Sequence, residues 1–257
     1  MKKSGFMKKM FPTMLDAPGT RTFGIGIPYL LFAFLFLPWF LSMSTIDTRG
    51  QSFEIWLEIG SHICNFVFIA IVFLAYLKES FFLVQIHTKS VFAISGICAG
   101  LIVLIKIATY ILSILGQKEG FIISSFGLFV TTESDLMFYP TAILELQPLW
   151  GTLVLVFLSP FTISCLLYGC VFAQIATRRP WLAYLVMALA LLLIRLVAVF
   201  CFWSMEEEIR IYLLQLPIHL ICCWTYQKTD TIWTPILTLT LSNVVMAFIF
   251  LFFWGII

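Results

Sequence analysis

The sequence predicts an all-α fold, a polytopic bundle of about seven transmembrane helices, and three observations predict it. Of the 257 residues, 61% are apolar and 11% are charged, against about 25% charged in an ordinary soluble domain. The apolar residues fall in continuous runs long enough for a bilayer core of about 30 Å, which takes roughly 20 helical residues to cross. Lys and Arg gather in alternate connections between those runs. The first observation excludes a water-soluble enzyme, a disordered chain and a nucleic-acid binder, and the net charge of +2 names no partner. A transmembrane β-barrel would show short alternating segments instead, and backbone in lipid is otherwise satisfied only inside helices.

Taken in order, residues 1–22 form a basic amphipathic cytoplasmic amino terminus. Phe6, Met7, Met10, Phe11, Met14 and Leu15 fall on one helical face, away from Lys2, Lys3, Lys8 and Lys9. This fits a short helix on an anionic leaflet; a solvated basic tail that enforces topology is the alternative, since Pro12 interrupts the pattern. Residues 23–147 hold three spans, Phe23–Met43, Glu54–Leu77 and Val91–Gly116, followed by a long acidic outer loop, Gln117–Gln147. The first run exceeds a signal-peptide core and lacks a small-residue cleavage site, so it is a retained span. Residues 148–257 hold four more: Pro148–Ala176, Trp181–Trp203, Ile209–Tyr226 and Ile232–Trp254. The sixth run is short and carries Gln215, Pro217 and His219. No internal repeat is visible, which counts against inverted-repeat transporter folds.

Charge orients the bundle. With the amino terminus cytoplasmic, the inner segments hold Lys2, Lys3, Lys8, Lys9, Arg21, Lys78, Lys89, Arg178, Arg179 and Lys228, and the outer ones hold only Arg49, Lys118 and Arg210. Lys/Arg bias is what sets orientation. The expectation is a multi-pass protein of the plasma (inner) membrane with its carboxyl terminus outside.

Within the spans the chemistry is sparse. Cys64, Cys98, Cys165, Cys170, Cys201, Cys222 and Cys223 lack metal-ligand spacing and read as small buried hydrophobes. His62, His87 and His219 form no His-Glu-x-x-His pair, and an isolated intramembrane histidine reads as a bond to a neighbouring helix. No metal or cofactor is expected. Lys106 and Arg195 are the charges within the hydrocarbon, where each costs about 2.5–3.5 kcal/mol on insertion scales. Either could pair with Glu58 or snorkel toward outer headgroups. Glu206, Glu207 and Glu208 read as an acidic outer rim.

Three segments carry a family resemblance. They are Ser159-Pro-Phe-Thr-Ile-Ser-Cys-Leu-Leu-Tyr-Gly-Cys, Arg178-Arg-Pro-Trp-Leu-Ala-Tyr-Leu, and Tyr226-Gln-Lys-Thr-Asp-Thr-Ile-Trp-Thr-Pro-Ile-Leu-Thr-Leu-Thr-Leu-Ser-Asn. From Pro160 onward the chain resembles the CPBP family of CAAX-protease and bacteriocin-processing membrane proteins, which includes type II CAAX prenyl proteases. That family carries Pro-x-x-Glu-Glu-x-x-x-Arg-Gly on one helix, Phe-x-x-x-His on the next and Trp-x-Pro-Ile-Leu-x-His-x-x-x-Asn on a later one. Here Pro160 and Gly169 keep their separation. Ile163 and Ser164 stand for the paired glutamates, Tyr168 for the arginine, Leu191 and Arg195 for the Phe and His, and Leu239 for the last histidine. Trp233, Pro235 and Asn243 match.

The resemblance implies a peptidase frame without its proton-handling groups. The family's glutamate is implied to activate water; losing it removes general-base catalysis, and an arginine does not deprotonate at neutral pH. A rival register on Glu206-Glu-Glu-Ile-Arg210 fails on spacing and lacks the glycine. By helical rise, Ile163, Arg195 and Asn243 lie roughly 16–21 Å from the inner face, a common layer, and Leu239 shares the Asn243 face. The vestigial site positions are therefore Ile163, Ser164, Tyr168, Arg195, Leu239 and Asn243, with binding expected at Asn243, Arg195, Lys106, Glu58 and Ser164.

Three functions are compatible. The first is a degenerate, inactive CPBP-like protein that binds or scaffolds a membrane or envelope protein partner in the lipid bilayer, with no nucleic acid involved. The second is an intramembrane peptidase using a displaced carboxylate, Glu58 or Glu206, with Asn243 as oxyanion donor. The third is a small-solute carrier or permease subunit whose path uses Lys106, Arg195 and Glu58.

Overall fold

The computed structural model describes residues 19–33, 51–115, 150, 153–177, 179–201 and 205–253. The basic amino terminus through residue 18, the upper part of the first expected span and the loop Gln117–Gln147 lie outside the described residues. Every described element is helical, in agreement with the expected fold class. The α-helices are α1 (Thr20–Leu31), α2 (Gln51–Val72), α3 (Leu74–Ile86), α4 (Thr88–Leu115), α5 (Ser159–Ile163), α6 (Ala173–Ala176), α7 (Pro180–Cys201), α8 (Met205–Thr229) and α9 (Trp233–Phe253). Two π-helical segments, Val154–Leu158 and Ser164–Phe172, join α5 and α6 into one continuous rod.

Two described stretches, Thr88–Ala108 and Val156–Ala176, are long and apolar enough to cross a membrane; the bent pair Ile59–Val72 and Leu74–Ile86 makes a third if taken as one span. Pro180–Leu196 and Trp233–Ile249 are apolar but shorter. Among the described residues, two to three helices thus meet the length and composition of a crossing, where the sequence reads about seven spans over the whole chain. The short sixth run lies within a longer helix, since α8 is 25 residues long with Pro217 inside it.

The second expected span also differs. It bends by 77° at Phe73, which sits at φ −93°, ψ 3°, the sparsely allowed bridge region. Beyond the bend the chain carries Lys78, Glu79, Ser80 and Gln85, too polar to continue through hydrocarbon. It forms α3 instead, where the sequence suggests a plain connection. Leu77, Ser80, Leu83 and Val84 turn inward, at the three- and four-residue spacing of one helix face.

α3 supports the start of α9. Thr231 donates to the Ser80 carbonyl (3.1 Å) and its hydroxyl lies 2.8 Å from that of Ser80. Ile232 N–H donates to Ser80 Oγ (3.0 Å), Trp233 N–H to Thr231 Oγ1 (3.3 Å), and the Trp233 indole to the Leu77 carbonyl (3.1 Å). The first turn of α9 thereby finds acceptors for two of its otherwise orphaned N–H groups. Just before it, Asp230 adopts a positive φ of 51° and donates its N–H to the Tyr226 carbonyl (2.8 Å), a left-handed cap closing α8.

α4 and α9 form the most extensive pairing. Ser95, Cys98, Ala99, Ile102 and Lys106 of α4 are buried, as are Thr234, Thr238, Leu239, Ser242 and Asn243 of α9. Ser95 donates to the Thr234 carbonyl at 3.3 Å and Lys106 reaches Asn243 farther along, so the two helices run parallel. Small and polar residues let membrane helices approach closely and bond across the seam. On the opposite side α1 packs on the π-rich rod. There Gly26 leaves room that a Cβ would lose, since that atom would collide with Cys170 Sγ.

Candidate functional site

The site begins with Pro160. Lacking an N–H, proline cannot donate to the carbonyl four residues earlier, and its ring crowds it. The preceding turn is wound as a π-helix, with Ser159 N–H donating to the Val154 carbonyl five residues back. The second π segment starts at Ser164 and ends with Ala173 N–H on the Tyr168 carbonyl. Such segments are rare and occur frequently at functional sites. This one carries Ser164 and Tyr168, two of the residues singled out in the sequence.

From this rod Tyr168, fully buried, reaches α8, where its hydroxyl is hydrogen-bonded to His219 Nδ1 at 2.7 Å. His219 shares a face of α8 with Gln215, four residues earlier, and both are buried. The Arg195 Nε of α7 donates to Gln215 Oε1 at 3.2 Å. Across the interior, Lys106 Nζ donates to Asn243 Oδ1 at 2.9 Å, with the Ser242 hydroxyl 3.5 Å from the same oxygen. Arg195 and Lys106 both lie within electrostatic reach of the His219 imidazole. Side chains from α4, α7, α8, α9 and the π-rich rod therefore meet in one buried polar cluster.

Of the expected site residues, Tyr168, Arg195, Asn243 and Lys106 are brought into this cluster. Ser164 lies one turn from Tyr168 and is fully buried; among the described residues its Oγ finds no hydrogen-bond partner, and neither does His219 Nε2. Ile163 and Leu239 belong to the main apolar core, together with Leu191. The side chains of Glu58 and Glu206 lie outside the described residues. Lys106 does not snorkel: it is 2% exposed and bonded inside the protein.

Gln215 and His219 are the members that sequence reasoning missed as site residues. Their signal was present, two polar residues four apart on either side of Pro217, but it reads as weakness of the span. The expectation that His219 bonds to a neighbouring helix holds. His62 is buried on α2 and His87 is exposed where α3 meets α4. Cys98, Cys165, Cys170, Cys222 and Cys223 are buried as expected, whereas Cys64 faces outward. Among the described residues no three His, Cys, Asp or Glu side chains converge as metal ligands would.

Chemically, the cluster offers the basic side chains of Lys106 and Arg195, the amides of Gln215 and Asn243, the Tyr168 hydroxyl and the His219 imidazole, a ring with one accepting nitrogen when neutral. The carboxylates that could serve as a base, Glu58 and Glu206, are not among its described members. The chain matches no protein-family model, no curated protein and no solved structure.

Proposed function

We propose that the chain is a CPBP-like integral membrane protein without peptidase activity that holds a membrane or envelope protein partner. In this reading it spans a bacterial-type plasma membrane seven times, with the amino terminus cytoplasmic and the carboxyl terminus outside. One observation carries the inactive half of the proposal. At the positions where a peptidase of this frame needs a base and proton carriers, Ile163, Ser164 and Leu239 are essentially sealed from solvent, and Tyr168, Arg195 and Asn243 are bonded into the packing. General-base catalysis needs a group that can take a proton from a positioned water; apolar side chains and an arginine do not supply one.

The partner half is tested in native membranes. Affinity purification followed by quantitative mass spectrometry is expected to recover one stoichiometric membrane or envelope protein. Recovery should fall in Ser164→Phe, checked for retained folding, and should persist in Phe248→Ala on the outward face of α9. Absence of a stoichiometric partner, or equal loss in both variants, contradicts the proposal.

A second reading, a small-solute carrier, is favoured by one feature. Thr231, Thr234, Thr238, Ser242 and Asn243 form a buried polar line along α9 that leads from the α8–α9 turn to Lys106. Reconstituted protein would then show solute flux that falls in Arg195→Ala and needs no peptide.

A further inference from the structure

We propose that the rim where α7 begins and α8 ends seats the headgroup of an anionic phospholipid, with Lys228 and Arg179 as the phosphate-binding cations. The inference requires membrane insertion but not the inactive-peptidase reading.

Helices α7 and α8 are fastened at this level by Tyr184, whose hydroxyl donates to Gln227 Oε1 at 2.7 Å. Trp181 precedes Tyr184 by three residues, and Trp224 precedes Gln227 and Lys228 by three and four. Residues so spaced share a helix face, so both tryptophans and Lys228 flank the same seam. Lys228 Nζ lies 5.7 Å from the centre of the Trp224 ring, within cation–π range. That contact holds the ammonium over the seam while its remaining donors stay available. Arg179 immediately precedes α7 and is exposed.

The exposure pattern fits a headgroup level and not a protein core. Trp181 is 67% and Trp224 43% exposed, although both are large enough to fill interior space. Tryptophan at such a rim marks the membrane–water interface. Two cations beside two interfacial rings complement a phosphodiester flanked by acyl chains. A zwitterionic lipid would bring its own cation into the same place.

The test uses the full chain in nanodiscs of equal phosphatidylcholine and phosphatidylglycerol, gently released, with retained lipids counted by native mass spectrometry. Phosphatidylglycerol should be enriched, and each of Arg179→Gln and Lys228→Gln should lower the enrichment by roughly fivefold or less, the share expected of one surface cation. Lys78→Gln with Lys89→Gln, exposed basic positions on α3 and α4 and not on the two helices that form the seam, should leave it unchanged. As a second readout that needs no variant, brominated phosphatidylglycerol should quench tryptophan emission more than brominated phosphatidylcholine does. No enrichment, enrichment untouched by Arg179→Gln and Lys228→Gln, or equal loss in the Lys78/Lys89 variant would overturn the proposal; the last would mean a diffuse basic rim in place of a seat.

Discussion

Lys106 on α4 and Asn243 on α9, 137 residues apart in sequence, are joined by a 2.9 Å hydrogen bond inside the bundle. Burying the ammonium puts the Asn243 oxygen among its required acceptors, since an unsatisfied buried polar group costs about 1–3 kcal/mol, and more when charged. Asn243→Leu should therefore destabilise the protein by at least that amount in SDS-titrated unfolding. Lys106→Met in the same chain should recover part of the loss, because the ammonium that needed the Asn243 oxygen is then gone as well.

Tyr168 and His219 form the second cross-helix bond of the cluster. Tyr168→Phe keeps the ring and removes the hydroxyl, and should cost about 1 kcal/mol. A double-mutant cycle with His219→Leu should give a coupling of about 0.5–3 kcal/mol, as residues in direct contact do. Tyr168→Phe paired with Arg195→Lys measures whether the cluster acts as one network, through a coupling that separate sites would lack.

The support of α9 by α3 makes Ser80 important despite its size. It accepts from Ile232 N–H through its hydroxyl, and meets Thr231 through both hydroxyl and carbonyl. Ser80→Ala should lower stability by about 1–3 kcal/mol, measured by unfolding in detergent. Trp233→Phe should cost less, about 1 kcal/mol for the single indole bond to the Leu77 carbonyl.

Much of this was legible in the sequence, and what was hidden has physical causes. The helical runs follow directly from apolar length, and Arg195 and Asn243, singled out as site residues, are both buried. α3 was obscured because its inward face is only Leu77, Ser80, Leu83 and Val84, a weak periodic signal among lysine, glutamate and glutamine. The fate of Lys106 turned on Asn243, a tertiary contact that no local pattern encodes; snorkelling and internal pairing look alike from a single helix. Cys64 reads as buried by residue type, yet its face of α2 points away from the bundle.

Asp230 offers a pH test outside the spans. Desolvation raises its carboxyl above the ordinary carboxylate range, and His87 partly opposes this. A raised folded-state value means stability is fully present below the ordinary carboxyl value near 3.8 and declines as pH rises through the folded one. Asp230→Asn removes that decline and suits the left-handed backbone at this position. The variant should match the wild type in apparent Tm at the acidic end and exceed it increasingly toward neutral pH.

The central claim, that this frame does not hydrolyse peptides, is tested most directly by offering purified protein in liposomes a set of prenylated and unprenylated peptides and analysing products by mass spectrometry. The account predicts no cleavage above that in empty liposomes. Cleavage by the wild type that disappears in Glu58→Gln, Glu206→Gln or Asn243→Ala would contradict it.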